Sequence, residues 1–102
     1  MVEINGHLFD WDDDKNISNI EKHGIPFKIA ATAFFDDDAV IFEDAKHSIN
    51  EDRFMLIGFS KKHKLLTVCH CYRGSNDDVV RIISARNATK SERKIYGGAW
   101  ND

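Results

Sequence analysis

Two arginines in one short segment are the residues of this chain most clearly suited to binding or catalysis. Arg81 and Arg86 lie in a run of β-branched residues that passes directly into a helix start. Arginine can bind a phosphate through two parallel hydrogen bonds, and the first amides of a helix also favour an anion. The segment therefore predicts an anion site.

The strand that carries these arginines decides whether they can act together. Alternate residues of a strand point to opposite faces, and Arg81 and Arg86 are an odd number of positions apart. Both could serve one face only if the strand ended before Arg86, so we expect Arg86 at the exit from strand to turn, ahead of a helix whose capping box is formed by Thr89 and Glu92. The alternative is one solvated and one ion-paired arginine. If both arginines are spent on internal salt bridges, the fold prediction survives and the catalytic one does not.

Two more arginines, Arg53 and Arg73, fall on neighbouring predicted strands. RNA cleavage by transesterification needs a base for the ribose 2′-hydroxyl, an acid for the leaving oxygen and positive charge at the phosphate, and no metal is obligatory. Histidine is a common general acid or base, which makes His23 a candidate, although its place at a helix C-terminus is also explained without catalysis by the helix dipole. The other histidines considered on the same ground are His47, His63 and His70.

Other chemistries fit the sequence less well. Cys69 and Cys71 would share one face of a strand, too far apart for a relaxed disulfide, so we expect reduced and buried thiols. Their spacing with the histidines matches no zinc pattern, and the acidic run 36–38 is better explained as a solvated turn than as a Mg²⁺ site. We expect no metal and no cofactor. Trp11 could stack on an RNA base, or simply complete the core.

The elements that position these residues follow from local signals. A short edge strand is expected at residues 7–11, then a helix from Asp13 to His23 that Gly24 and Pro26 terminate. Ile17 and Ile20 lie on one face of that helix. A second helix starts at Phe27 and stops at the acidic turn, four strands at 39–43, 53–60, 65–73 and 79–86 form an antiparallel meander, and a last helix runs from Lys90 to about Tyr96. The expected fold class is α+β.

Length and composition indicate one soluble domain, residues 1–102, with 42% hydrophobic and 30% charged residues. No apolar run approaches the roughly 20 residues that span a bilayer, so we expect a cytoplasmic protein with no membrane contact. Residues 1–51 hold 12 acids and 4 bases, a net charge of −8, whereas residues 52–102 hold 5 acids and 10 bases, a net charge of +5. This asymmetry favours a polyanion-facing surface, unless the two halves interleave in space.

The order of residues along this sequence resembles that of the BrnT family of toxins. The resemblance runs from about His7 to Tyr96, and its most specific parts are Lys22-His23-Gly24 and the block Arg81-Ile82-Ile83-Ser84-Ala85-Arg86. Further matching positions are Phe9, Trp11, Asp12, Lys15, Asn19, Phe27, Phe34, Arg53, Ile57, Gly58, Arg73, Ala88, Glu92 and Tyr96.

The resemblance implies a RelE-like fold and a small ribonuclease toxin of a type II toxin–antitoxin pair, which inhibits translation until an antitoxin covers it. It implies a BrnA-like antitoxin with a ribbon-helix-helix domain, a hetero-oligomer, and contact with DNA only through that antitoxin. Carried over by position, Arg73, Arg81 and Arg86 become the catalytic cations, with Arg53 and His23 as weaker candidates. Lys22 and Trp11 are candidate RNA contacts. The competing interpretation is a toxin-fold binding module without catalytic activity.

Overall fold

The computed structural model describes residues 1–98, which contain six strands and three helices. Two short 3-10 turns cover Ala33–Phe35 and Ala45–His47. No helix in this described part is long and apolar enough to cross a membrane. The strands are β1 (Val2–Ile4), β2 (His7–Asp10), β3 (Val40–Glu43), β4 (Phe54–Phe59), β5 (Leu65–Arg73) and β6 (Val79–Asn87), and the helices are α1 (Asp13–His23), α2 (Phe27–Thr32) and α3 (Lys90–Gly98).

The strands form one sheet in the order β1-β2-β6-β5-β4-β3. Neighbours are antiparallel except β2 and β6, which run parallel. The predicted α+β class and the antiparallel meander of β3 to β6 are confirmed. The predicted number of strands is wrong, because a sixth strand precedes the others, and β2 is not an edge strand but lies between β1 and β6. The RelE-like arrangement stays a prediction.

A two-residue turn explains the additional strand. Asn5 and Gly6 both have positive φ, 50° and 82°, as the central residues of a type I′ hairpin turn must. The turn folds β1 back onto β2, with Val2 opposite Phe9. The Asn-Gly pair was therefore a sequence signal for a hairpin at the N-terminus.

Helix ends agree closely with the capping signals. The Asp12 side chain accepts hydrogen bonds from the first amides of α1, at 2.9 and 3.1 Å, and Gly24 ends the helix in the left-handed conformation at φ 70°. The capping box of α3 is also formed: the Thr89 hydroxyl accepts from the Glu92 amide at 3.2 Å, and the Glu92 carboxylate accepts from the Thr89 amide at 2.8 Å. Both predicted helix starts are confirmed.

One face of the sheet is packed under α1 and α2, and we call it the covered face. Alanines of α2, Ala30 and Ala31, are fully buried there and allow the helix to approach the strands closely. The largest side chains of this core are at most 1% exposed; they are Phe9, Phe27, Leu56, Leu66, Val68 and Ile82. This apolar core supplies the main driving force for folding.

Helix α1 attaches to the sheet through a polar side chain. Asn19 is the one buried residue of this helix; it donates to the Ala85 carbonyl at 2.9 Å and accepts from the Ala85 amide at 3.0 Å. Strand β2 pairs with β6 only from Val79 to Arg81. At Ala85, the Asn19 side chain therefore supplies the hydrogen bonds that a neighbouring strand would otherwise form. Ile17 and Ile20, the apolar pair of the sequence pattern, are 55% and 40% exposed.

The opposite face of the sheet is covered only at one end. There α3 places Tyr96 against a small cluster of Ile57, Leu65 and Ala88. The Tyr96 hydroxyl also donates to the Asp36 carboxylate at 2.8 Å, which ties α3 to the turn before β3. The remainder of this face carries the polar residues of β5 and β6.

Candidate active site

An irregularity in β6 places Arg81 and Arg86 on the same face of the sheet. Along β5, Thr67 and Cys71 are an even number of residues apart and share one face. Arg86 lies opposite Thr67, and Arg81 lies opposite Cys71. Directly opposed residues of an antiparallel pair point to the same side, so both arginines project from the face that α1 and α2 leave open.

The physical reason is a β-bulge. Cys69 lies opposite Ser84 while the next residue, His70, lies opposite Ile82, so Ile83 is an extra residue in β6. The extra residue shifts the alternation by one position. The expectation that strand alternation would separate the two arginines is therefore wrong. Arg86 lies one residue before the end of β6, which runs through Asn87, so the common face comes from the bulge and not from a strand that ends before Arg86.

Arg53 and Arg73 occupy the same face. Arg73 ends β5 two residues after Cys71, and Arg53 stands two residues before Met55, which pairs with Cys69. We call the surface formed by these four side chains the arginine face; its members are Arg53, Arg73, Arg81 and Arg86.

Arg86 is held in a closed hydrogen-bond network. Its two terminal nitrogens donate to the two oxygens of Glu92 at 2.6 and 2.9 Å. Glu92 also accepts from the Thr67 hydroxyl at 2.9 Å and from the Thr89 amide. The Arg86 hydrogen bonds are the main cause that lowers the pKa of Glu92 to about 2. Arg86 thus joins β6 to the start of α3.

Arg81 and Arg73 are paired much more loosely. Each donates from one terminal nitrogen to one carboxylate oxygen, Arg81 to Asp10 and Arg73 to Glu51. Within residues 1–98 these are the sole hydrogen bonds of the two guanidinium groups, which have five N–H donors each. Their side chains are 30% and 46% exposed. Both arginines of β6 are therefore ion-paired, but most donors of Arg81 have no hydrogen-bond partner among residues 1–98.

The remaining predicted site residues divide between two places. Lys22 and His23, in the last turn of α1, line a pocket that Ser84 also lines, at the border of the arginine face. Trp11 instead packs the edge of its ring against Phe27, with ring centroids 6.1 Å apart, in the core of the covered face. The structure places Lys22 and His23 beside Ser84 of β6 and Trp11 on the covered face of the sheet.

Buried groups on both faces are unsuited to acid–base chemistry. His70 is fully buried and its nitrogens lie 3.2 Å from the Val68 carbonyl and the Tyr72 hydroxyl; burial lowers its pKa to about 4. Cys69 and Cys71 are reduced and buried, as predicted, and burial raises the pKa of both thiols. In the part of the chain that the structure describes, no three His, Cys, Asp or Glu side chains cluster as metal ligands would.

Several residues of the site were not identified from the sequence. Asp10 reaches Arg81 because β2 pairs in parallel with β6, Asp10 lying opposite Arg81. Glu51 reaches Arg73 from the loop before β4. Lys15 and Ser84 line the pocket beside Lys22. These contacts join distant parts of the chain, and no short sequence pattern indicates them.

Comparison with known proteins identifies the family. A family model described as the ribonuclease toxin BrnT of a type II toxin–antitoxin system matches residues 11–92. The crystal structure of the Brucella abortus ribonuclease toxin BrnT superposes with a TM-score of 0.62 at 27% sequence identity, over 82% of this chain and 99% of that one. No curated protein matches significantly. The chain therefore belongs to the BrnT family of ribonuclease toxins of type II toxin–antitoxin systems.

Proposed function

We propose that this toxin cleaves RNA on the arginine face, by transesterification without a metal ion, and thereby inhibits translation. The observation that carries the proposal is the bulge at Ile83. It places both arginines of β6 on the sheet face that α1 and α2 do not cover, where Arg73 and Arg53 project from the neighbouring strand regions. A fixed group of guanidinium ions is suited to the charge that develops on a phosphate during cleavage.

Arg81 is the principal transition-state cation in this proposal, with Arg73 and Arg53 beside it. Arg81 is positioned by a single carboxylate contact, to Asp10 Oδ2, and its remaining donors can reach a phosphate. Arg86 contributes positive charge while its hydrogen bonds keep α3 in place. His23 stays a weaker candidate at the border of the site.

The reaction needs a group that removes the ribose 2′-proton. Asp10 is the nearest carboxylate to Arg81, and Oδ1 has no hydrogen-bond partner among residues 1–98. We assign it as the candidate base. The 2′-oxygen then attacks phosphorus, the bond from phosphorus to the 5′-oxygen breaks, and the 5′-oxygen takes a proton from water while Asp10 returns the 2′-proton to solvent. The products are a 2′,3′-cyclic phosphate and a 5′-hydroxyl.

Family membership also implies an antitoxin partner. We propose a BrnA-like antitoxin with a ribbon-helix-helix domain, which binds the toxin in a hetero-oligomer and is its sole link to DNA. A neighbouring short reading frame for such a protein is expected, because an unopposed toxin would arrest its own host.

Cleavage in the presence of EDTA tests the proposal. Purified, antitoxin-free protein incubated with RNA should yield fragments with 2′,3′-cyclic phosphate ends at an undiminished rate when EDTA is added. Intact RNA under conditions where circular dichroism shows folded protein would contradict the activity. Cleavage that requires added Mg²⁺ would contradict the metal-independent mechanism alone.

A second candidate function is a non-catalytic binding module, in which the arginines dock an acidic partner segment. The ion pairs of Arg73, Arg81 and Arg86 within the chain favour it, since paired cations are less available to a phosphate. Arg81→Ala separates the two functions. Loss of growth arrest with antitoxin binding retained supports an active site, whereas loss of antitoxin binding supports the module.

A further inference from the structure

A pocket of about 250 Å³ lies between α1 and β6, next to the arginine face. It exists because β2 ends at Asp10, opposite Arg81, so the next part of β6 has a helix rather than a strand as its neighbour. Asn19 holds the helix against the strand at Ala85. The bulged residue Ile83 forms part of the wall.

The polar lining of this pocket is cationic. Lys15, Ser18 and Lys22 lie on one flank of α1, at i, i+3 and i+7, and Ser84 faces them from the strand. Neither lysine forms an ion pair with any residue that the structure describes. Among residues 1–98, no carboxylate lines the pocket.

The acidic residues of α1 point elsewhere. At 100° per residue, Asp13, Asp14 and Glu21 lie on the side of the helix that carries Ile17, away from Lys15 and Lys22. The helix therefore separates its charges, and the positive flank is the one that meets the bulge. Two ammonium groups and two hydroxyls around one pocket are suited to a phosphate.

Ser84 connects this pocket to the arginine face. It lies opposite Cys69, on the side of the sheet from which Arg81 and Arg86 also project. Ser84 and Arg86 are two residues apart, which is about 7 Å along a strand. A ligand phosphate at Lys15 and Lys22 would therefore lie beside a phosphate bound at the arginines.

We propose that the pocket is a second phosphate subsite, which holds a neighbouring phosphate of a single RNA strand while the scissile phosphate lies on the arginine face. This inference rests on the proposed ribonuclease function and specifies its substrate: RNA with at least two phosphates. The lysines raise the rate on longer RNA by binding a phosphate that does not react.

The test compares a dinucleoside monophosphate, which has one phosphate, with an oligoribonucleotide that contains the same cleavable step. The variant is Lys15→Gln/Lys22→Gln. The control is Lys90→Gln/Lys94→Gln, which removes the same charge from exposed positions of α3. The wild type should have a higher kcat/KM for the longer substrate than for the shorter one. In the pocket variant the ratio of the two kcat/KM values should be about tenfold smaller, as expected for the loss of one charged hydrogen bond. The control variant should keep it.

Salt dependence provides a second readout. The slope of log kcat/KM for the longer RNA against log salt concentration should become shallower by about one unit in the pocket variant, and not in the control. An unchanged preference and slope in the pocket variant, with an active wild type, would overturn the subsite and leave the proposed function intact. Cleavage of neither substrate by the wild type would overturn both.

Inorganic phosphate distinguishes a free-ion site from an RNA subsite. If phosphate raises the melting temperature of the wild type and not of the pocket variant, while the preference for longer RNA is the same in both, the pocket binds free phosphate and the proposal is wrong. Loss of the preference for longer RNA in the pocket variant supports the RNA subsite.

Discussion

The two faces of the sheet use polar side chains in opposite ways. On the covered face, His70 is enclosed by Phe34, Phe54 and Tyr72, and both of its nitrogens have partners. On the arginine face, Arg81 is 30% exposed and has one partner. A half-exposed ion pair adds little to stability, so a polar group that is left open is available for a ligand. The covered face satisfies its polar groups internally, whereas most donors of Arg81 on the arginine face have no hydrogen-bond partner among residues 1–98.

The largest effect on stability is expected from pH on the covered face. Burial lowers the pKa of His70 from 6.5 to about 4, so the unfolded chain takes up the proton first as the pH falls. The stabilising contribution is present above pH 6.5 and is lost as the pH falls to about 4, a loss of about 3 kcal/mol. In His70→Gln this part of the pH dependence should disappear. Urea titrations of both proteins between pH 7 and 4 measure it, and parallel curves would show that His70 is not buried in the neutral form.

A smaller effect is expected at the boundary between the arginine face and α3. Arg86→Ala removes two charged hydrogen bonds to Glu92 and should lower the free energy of unfolding by about 2 kcal/mol at pH 7. Arg86 holds the pKa of Glu92 at about 2. The difference in free energy of unfolding between wild type and Arg86→Ala is therefore present above pH 4.5, and it should narrow as the pH falls toward 2. Arg93→Ala, which removes an exposed arginine of the same helix, is the control. Equal stability of both variants would mean that the network does not hold α3.

The smallest effect on stability is expected from Arg81→Ala. Its single contact to Asp10 is partly exposed, so the free energy of unfolding should change by less than about 1 kcal/mol. Chemical denaturation of Arg81→Ala and Arg86→Ala under the same conditions ranks the two losses of free energy of unfolding. A larger loss for Arg81→Ala than for Arg86→Ala would reverse the assigned roles of the two residues.

The parts of the fold that local signals encode were predictable. Asp12 and Gly24 mark the two ends of α1, and Thr89 with Glu92 marks the start of α3, because each satisfies backbone groups within its own helix turn. The sheet meander followed from alternating apolar runs separated by polar turns.

The parts that depend on distant contacts were not predictable. The parallel pairing of β2 with β6 brings Asp10 to Arg81 from the other end of the chain, and the bulge at Ile83 depends on how β5 and β6 pair rather than on a glycine or proline within the strand. Strand alternation alone therefore placed Arg81 and Arg86 on opposite faces. The candidate cations were found by residue type, but their common face and their carboxylate partners required the structure.

One measurement decides whether the arginine face is an active site. It is the kcat/KM of Arg81→Ala for RNA cleavage in EDTA, compared with those of wild type and Arg93→Ala. Loss of a transition-state cation should lower the rate by about 10²–10³-fold, with unfolding curves that show a stably folded protein and with Arg93→Ala as active as wild type. An Arg81→Ala variant that is folded and cleaves RNA as fast as wild type would contradict the assignment.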